Sequence, residues 1–125
     1  MSGSDENLLS FIRASFPSVW ALELLLILKG ERRAWTSAQL VATLRASELV
    51  VSRALDALVA AGLASVDADG AHYLPVDRGV EDCVERIEHL YRIRPNAVRR
   101  AIIYARTGSA SAFADAFKLR RQGDD

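Results

Sequence analysis

Two helix-start signals and a hairpin signal follow one another in the middle of the chain, and this order constrains the fold more than any other feature. Thr36 and Gln39 stand three residues apart, the spacing of a capping box that satisfies backbone N–H groups at a helix start. A break follows at residues 46–47, where Ser47 can cap a second helix. Asp69-Gly70 marks a tight turn between two β-capable runs, residues 64–66 and 72–74. The sequence thus predicts two helices joined by a short turn and followed at once by a β-hairpin.

Helical periodicity predicts two helices upstream of this unit. A short helix over residues 5–15 follows an Asp5 cap, and Pro17 ends it. Ser18 can cap the next helix, which runs from residue 19 to about residue 29 and ends at Gly30. Because this second helix is apolar on nearly every side, we expect either burial on several sides or a partner surface.

Downstream of the hairpin the helical period returns at Asp77 and continues to Pro95, which ends or kinks the helix. The runs "NAVRRAIIYAR" and "SASAFADAFKLRR" predict two further helices, separated at Thr107-Gly108. The whole order is that of a winged helix-turn-helix. The predicted fold class is mainly α with a small β-hairpin, a winged helix-turn-helix with additional N- and C-terminal helices.

The length of 125 residues suits one domain. We divide it into an N-terminal helical extension (1–17), a winged helix-turn-helix domain (18–79) and a C-terminal helical region for dimerisation or packing (80–125). Sixteen basic residues balance sixteen acidic ones, so the net charge indicates neither a nucleic-acid nor a membrane partner. Locally, residues 31–63 carry four basic and three acidic groups.

The sequence favours a soluble, cytoplasmic protein. The most apolar run, "VWALELLLILK", is about half the roughly twenty residues of a membrane span, and Glu23 interrupts it. The N-terminal run "MSGSDENLL" lacks the basic start and long apolar core of a signal peptide. A single cysteine, Cys83, fits a reducing compartment. We therefore expect no membrane partner.

The run "SELVVSRALDALVAAGLASV", which begins at Ser47, resembles the recognition helix of bacterial winged helix-turn-helix regulators, especially the MarR-like group. The matching features are Val51-Ser52-Arg53, the apolar pair Leu55 and Leu58, and Ala61-Gly62-Leu63 before a hairpin. The run "YLPVDRG" resembles the stretch that leads from the wing into a dimerisation helix in that group. The resemblance covers roughly residues 36–79, and it implies a DNA-binding transcriptional regulator that acts as a homodimer.

Helix geometry explains how such a protein reads DNA. With Val51, Leu55 and Leu58 facing inward, the N-terminal turns of the helix are exposed, and recognition helices insert that end into the major groove. Arg53 could reach a phosphate or make a bidentate contact to guanine. The start of the preceding helix could hold a phosphate. The candidate DNA-contacting residues are Thr36, Ser37, Arg45, Ser47, Glu48, Val50, Ser52, Arg53 and His72.

These candidates also have structural interpretations. Arg53 suits any solvated helix face, and Thr36 and Gln39 cap a helix with or without DNA. The hairpin loop "DADGA" departs from related regulators, which commonly carry an arginine at the wing tip. Its two carboxylates would repel phosphates, and His72 is the one possible cation there. The alternative function is a winged-helix module that binds another protein, with weak or no DNA binding.

No residue pattern indicates catalysis or a cofactor. His72 and His89 lack metal-site spacing, and Cys83 lies on an apolar helical stripe. There is no glycine-rich phosphate loop and no Ser/His/Asp signature. We expect no enzyme, no metal and no cofactor, although a small-molecule pocket beside the DNA-binding part stays open.

The C-terminal third has two interpretations. Its apolar stripes could pack against the N-terminal helices, with the flanking arginines left in water. They could instead form a homodimer or protein-partner surface. A symmetric dimer would present two recognition helices about 34 Å apart, one turn of DNA.

Overall fold

The computed structural model describes residues 2–106. Within these residues the chain forms six helices and one antiparallel pair of strands, which confirms the prediction of a mainly helical protein with a small hairpin. The helix predicted over "SASAFADAFKLRR" lies outside the described residues. The elements in chain order are α1 Ser2–Ser15, α2 Val19–Gly30, α3 Ser37–Leu44, α4 Glu48–Ala60, β1 Ala64–Asp67, β2 Gly70–Tyr73, α5 Arg78–Ile93 and α6 Pro95–Arg106.

Helix α1 begins at Ser2, so the predicted start at an Asp5 cap is wrong. An acidic residue is favourable throughout the first turn of a helix, and it therefore does not fix the cap position by itself. The break at Pro17 is where the sequence predicts it, and Ser18 caps α2 by accepting a hydrogen bond from the Ala21 N–H at 3.3 Å.

Helix α2 is the central element of the fold. It packs against α3, α4, α6 and β2, which explains its apolar composition by burial on several sides. In the described part of the chain, no single helix is long and apolar enough to cross a membrane. The segments Asn7–Ser15 and Val19–Gly30 reach that length and composition only together, across a 97° bend. The buried side chains of α2 are Ala21, Leu22, Leu24, Leu25 and Leu28.

The two predicted helix-start signals are confirmed. Thr36 and Gln39 form both bonds of the capping box at the start of α3. Arg45 ends α3 in the left-handed region, with φ 57° and ψ 44°, and turns the chain toward α4. Ser47 caps α4 by accepting a hydrogen bond from the Val50 N–H at 3.1 Å. Residues 45–47 are thus the whole connection between the two helices.

Helix α4 is held against the core by Val51, Ala54 and Leu58, and Leu55 is half-buried beside them. Gly62 ends the helix with φ 77°, as predicted from its position. Its N–H donates to the Val59 carbonyl at 3.1 Å, and the Leu63 N–H donates to the Leu58 carbonyl at 2.9 Å. These two bonds are a Schellman motif, and they aim the chain directly into β1.

The hairpin turns on a two-residue loop, Ala68 and Asp69, because Asp67 pairs with Gly70. The strands therefore reach closer to the loop than the predicted runs, and β2 begins at Gly70. The run predicted to end at Leu74 leaves the ladder at Tyr73. The Leu74 N–H still donates to the Leu63 carbonyl, at 3.0 Å.

A bridge from Trp35 widens the hairpin, and the sequence analysis did not foresee it. The Trp35 N–H donates to the Ala71 carbonyl at 2.9 Å, and the Ala71 N–H donates to the Trp35 carbonyl at 2.8 Å. Gly70 has φ 135°, and a Cβ there would lie 2.4 Å from the Trp35 carbonyl oxygen. Gly70 thus serves the close approach of two backbones as well as the turn.

Helices α5 and α6 complete the same core. Asp77 caps α5 through the Val80 N–H at 2.8 Å, and Pro95 is the first residue of α6, where its missing N–H costs nothing. Helix α6 packs against α1, α2 and α5, with Val98 and Ile102 buried. One continuous core therefore joins α1, the central unit and α6.

Candidate nucleic-acid interface

Any base contacts of this protein would be made from the outer face of α4. Ser52 and Arg53 are both exposed there, since the buried positions Val51 and Ala54 fix the rotation of the helix. Arg53 forms no ion pair or hydrogen bond with any described residue. Its guanidinium is therefore held by nothing else in residues 2–106.

Acidic side chains share this face. Glu48 is exposed in the first turn of α4, where the positive end of the helix dipole stabilises its negative charge. Asp56 is exposed one turn beyond Ser52. Arg53 lies between them along the helix. The face is consequently mixed in charge, and attraction to a polyanion would depend on few groups.

The predicted contact residues of α3 and the turn also lie on the surface. Thr36, Ser37, Arg45 and Ser47 are all exposed. The hydroxyls of Thr36 and Ser47 accept cap bonds, from Gln39 N–H at 3.2 Å and Val50 N–H at 3.1 Å. A hydroxyl that accepts a bond still has its own O–H to donate, so both groups keep a donor for a phosphate oxygen.

Val50 is less accessible than the sequence analysis predicts. Its side chain is half-buried, whereas the side chain of Leu49 is exposed on the outer face. The sequence analysis omitted Leu49. The signal was present in the helical period, because Leu49 lies three and four residues before Ser52 and Arg53 and so shares their side of the helix.

Two of the four arginines in residues 31–63 are engaged within the protein. Arg33 lies 3.8 Å from the ring centroid of Trp35, donates to Gln39 Oε1 at 3.1 Å and pairs with Glu31 at 3.4 Å. Arg32 lies 4.9 Å from the centroid of the Tyr73 ring. These contacts brace the hairpin and the start of α3. Arg45 and Arg53 are the other two arginines of this segment, and both are exposed at the turn and on α4.

His72 and Asp67 of the hairpin pair with each other. His72 Nε2 lies 3.1 Å from Oδ1 and 3.0 Å from Oδ2 of Asp67, and Oδ1 also accepts a bond from the Asp69 N–H at 2.9 Å. The hydrogen bond from His72, with that from Asp69, lowers the pKa of Asp67 below its ordinary value. Asp69 itself is exposed. His72, the one basic residue between residues 64 and 73, thus faces a carboxylate of the same hairpin, and its role at DNA stays a prediction.

A buried hydroxyl lies behind the hairpin. Tyr73 is 8 % exposed, and its hydroxyl has no hydrogen-bond partner among the described residues. Burial, reinforced by the charge of Glu81 and other acidic residues of α5, raises the pKa of Tyr73 to about 12. On the opposite end of α5, the Tyr91 hydroxyl donates to Glu23 of α2. The hydroxyl of Tyr73 is therefore an uncompensated polar group in the core.

Metal-ligating side chains are dispersed within residues 2–106. No three His, Cys, Asp or Glu side chains among them are placed to hold one metal ion. Cys83 is half-buried on α5. No protein-family model, curated protein or solved structure matches the chain.

Proposed function

We propose that this protein is a winged helix-turn-helix transcriptional regulator that binds duplex DNA, with α4 as the recognition helix. The order of α3, a short turn, α4 and a hairpin supports the fold assignment, as does the third backbone pairing from Trp35 to Ala71. The resemblance of residues 36–79 to MarR-like regulators supports the same assignment.

The observation that carries the proposal is the guanidinium of Arg53, which lies on the exposed N-terminal half of α4 and has no partner among the described residues. A planar guanidinium matches the two acceptors of guanine, O6 and N7, in the major groove. Ser52, beside it, offers a hydroxyl to a phosphate or a base edge. The core contacts of Val51 and Ala54 hold the helix, so both groups project at a fixed angle.

Phosphate contacts are assigned to the start of α3 and to the turn. Thr36 and Ser37 place hydroxyls at the start of α3, where the capping box bonds the N–H groups of Thr36 and Gln39 and the N–H groups of Ser37 and Ala38 are the ones offered to an anion. Arg45 adds a charge in the turn. These groups would fix the register of the protein on the duplex, while Arg53 would supply base discrimination.

A homodimer is part of the proposal. Ile93 of α5 and Ile103 of α6 are large apolar side chains exposed on the C-terminal helices, and Trp20 of α2 is also exposed. In the proposed dimer, a second copy would pack on the C-terminal helices and present two α4 helices to successive major grooves.

The experiment is selection of duplexes from random or genomic fragments, followed by affinity measurement on the selected site. We expect Arg53→Ala to weaken binding about 10- to 100-fold and to remove the preference for guanine at one position of each half-site. The slope of affinity against salt should change little, because a base contact releases few counterions.

Arg92→Ala is the matched control, since it removes the same charge from an exposed position of α5. It should leave both affinity and site preference unchanged. A uniform loss on all duplexes after Arg53→Ala, with a shallower salt slope, would assign Arg53 to phosphate and refute its reading role. Unchanged binding would refute α4 as the recognition helix.

The second candidate is a winged-helix module that binds another protein. The hairpin favours it, because its carboxylates Asp67 and Asp69 repel phosphates and Val66, Leu74 and Val76 expose apolar surface around it. Capture of a specific partner that Val76→Asp releases, together with no duplex selected above background, would replace the first proposal by this one.

A further inference from the structure

Leu49 occupies the first turn of α4 and faces solvent. It is 58 % exposed, whereas Val59, the other large apolar side chain on the outer face of this helix, is 42 % exposed. The core contacts of α4 come from Val51, Ala54 and Leu58. Leu49 thus contributes little to the packing of the fold.

A single exposed leucine is common on protein surfaces and needs no explanation in itself. The position of Leu49 on α4 is what indicates a role in binding. Leu49, Ser52 and Arg53 stand at i, i+3 and i+4, so they form one continuous row on the outward side of α4. Any surface that Arg53 contacts would also meet Leu49, one helical turn nearer the N-terminus.

The major groove presents one apolar group on its base edges, the C5-methyl of thymine. Arginine and serine recognise acceptors and donors, and they gain nothing from a methyl group. An aliphatic side chain gains free energy by covering it, because both surfaces leave water. Leu49 is the side chain of this row that has that chemistry.

The spacing along the helix sets where the methyl should lie. Residues four apart are separated by about 6 Å along a helix axis. Base pairs are about 3.4 Å apart along the DNA axis. A base contacted by Leu49 would therefore lie about one or two base pairs from the guanine contacted by Arg53.

We propose that Leu49 is a specificity-determining residue that contacts the C5-methyl of a thymine one or two base pairs from the guanine read by Arg53. The inference rests on the proposed function, since it requires α4 to enter the major groove. It places an apolar contact beside the polar groups of Ser52 and Arg53, at the outward position that the half-buried Val50 does not take.

The test replaces each thymine of the selected duplex, one at a time, by uracil. Uracil keeps the base pairing and every hydrogen-bonding group and removes only the methyl. We expect one thymine in each half-site to show a loss of about 3- to 5-fold, the effect of one exposed methyl group that is no longer covered. The remaining thymines should tolerate the replacement.

Two variants assign the effect to its side chain. Leu49→Ala should bind the thymine and uracil duplexes equally, because the covering group is gone. Val59→Ala should keep the full uracil penalty, since Val59 lies near the other end of α4. Both positions are exposed, and thermal unfolding of both variants should match the wild-type protein.

The outcomes separate this inference from the proposed function. Selective duplex binding without a uracil penalty, or with the same penalty in Leu49→Ala, overturns the role of Leu49 and leaves Arg53 as a reader. Failure of the wild-type protein to select any duplex overturns both. A penalty that Leu49→Ala removes and Val59→Ala retains supports the assignment.

Discussion

The outer face of α4 and the hairpin use their charged groups in opposite ways. On α4, Arg53 projects from the helix without a partner among the described residues. At the hairpin, His72 is paired with Asp67, and Arg32 lies over the ring of Tyr73. A basic residue without an internal partner is available to bind a ligand. A basic residue that is paired within the protein contributes instead to the stability of the fold.

The difference between the outer face of α4 and the hairpin can be measured by substitution. Substitutions in the hairpin should change the stability of the protein, whereas substitutions on the outer face of α4 should change binding and leave stability unaltered. A hairpin variant that lowers DNA affinity without lowering the free energy of unfolding would contradict this division of roles.

Gly70→Ala should have the largest effect. A Cβ at this position would lie 2.4 Å from the Trp35 carbonyl oxygen and would sit on a backbone with φ 135°. Because both the clash and the strain involve backbone atoms, we expect the free energy of unfolding to fall by about 2–4 kcal/mol. Urea unfolding followed by circular dichroism measures this change.

Gly30→Ala is the control for that substitution. Gly30 is the last residue of α2, and a Cβ there would meet no atom within 4 Å. Alanine costs less backbone entropy in a helix, so we expect no loss and a gain of up to about 1 kcal/mol. Equal destabilisation of both variants would show that the Trp35 bridge does not set the requirement at Gly70.

Tyr73→Phe should stabilise the protein. The buried hydroxyl of Tyr73 has no partner among the described residues, and its removal should raise the free energy of unfolding by about 1 kcal/mol. The variant should also change the response to alkali. The pKa of Tyr73 is raised to about 12 in the folded protein, so Tyr73 leaves stability independent of pH below about pH 10 and lowers it as the pH rises toward 12, because the unfolded chain ionises first.

Unfolding of the wild-type protein and the variant between pH 8 and pH 12 measures both effects. The two stability curves should diverge above about pH 10, because only the tyrosine ionises. Parallel curves would mean that Tyr73 titrates normally and that its hydroxyl is solvated. DNA affinity should be equal for the two proteins at neutral pH, as the comparison of the two regions requires.

The smallest expected effect is on the pKa of Asp67, and with it on the stability of the protein at low pH. Hydrogen bonds from His72 and the Asp69 N–H lower the pKa of Asp67 in the folded protein. Its contribution to stability is therefore full above the unfolded pKa, about 3.9, and is lost as the pH falls through the lower folded value. Titration of the Asp67 carboxyl carbon by NMR should give a higher pKa in His72→Ala than in the wild-type protein. Identical midpoints would contradict the pairing.

The sequence predicts the parts of this fold that depend on local backbone chemistry. The capping box of Thr36 and Gln39, the Ser47 cap and the left-handed Gly62 each depend on a few neighbouring residues, and all three lie where the pattern places them. The bridge from Trp35 to Ala71 joins residues far apart in the sequence, and no local pattern encodes it.

The candidate site shows a second limit of sequence analysis. Ser52 and Arg53 are exposed as predicted, but Val50 is half-buried and Leu49 takes the outward position. Consecutive residues of a helix point about 100° apart, so an error of one residue moves a side chain to another face. The buried set of α4, which includes Ala54 between Val51 and Leu58, is what settles the rotation.

The Trp35 bridge also has a mechanical consequence. Trp35 pairs with Ala71 of the hairpin, its ring supports Arg33, and Arg33 bonds the Gln39 side chain that caps α3. The hairpin and the start of α3 are thus linked by one short chain of contacts, and neither can tilt without disturbing the other. In the proposed complex, in which α3 contacts the duplex, these contacts would therefore also determine where the hairpin lies beside the DNA.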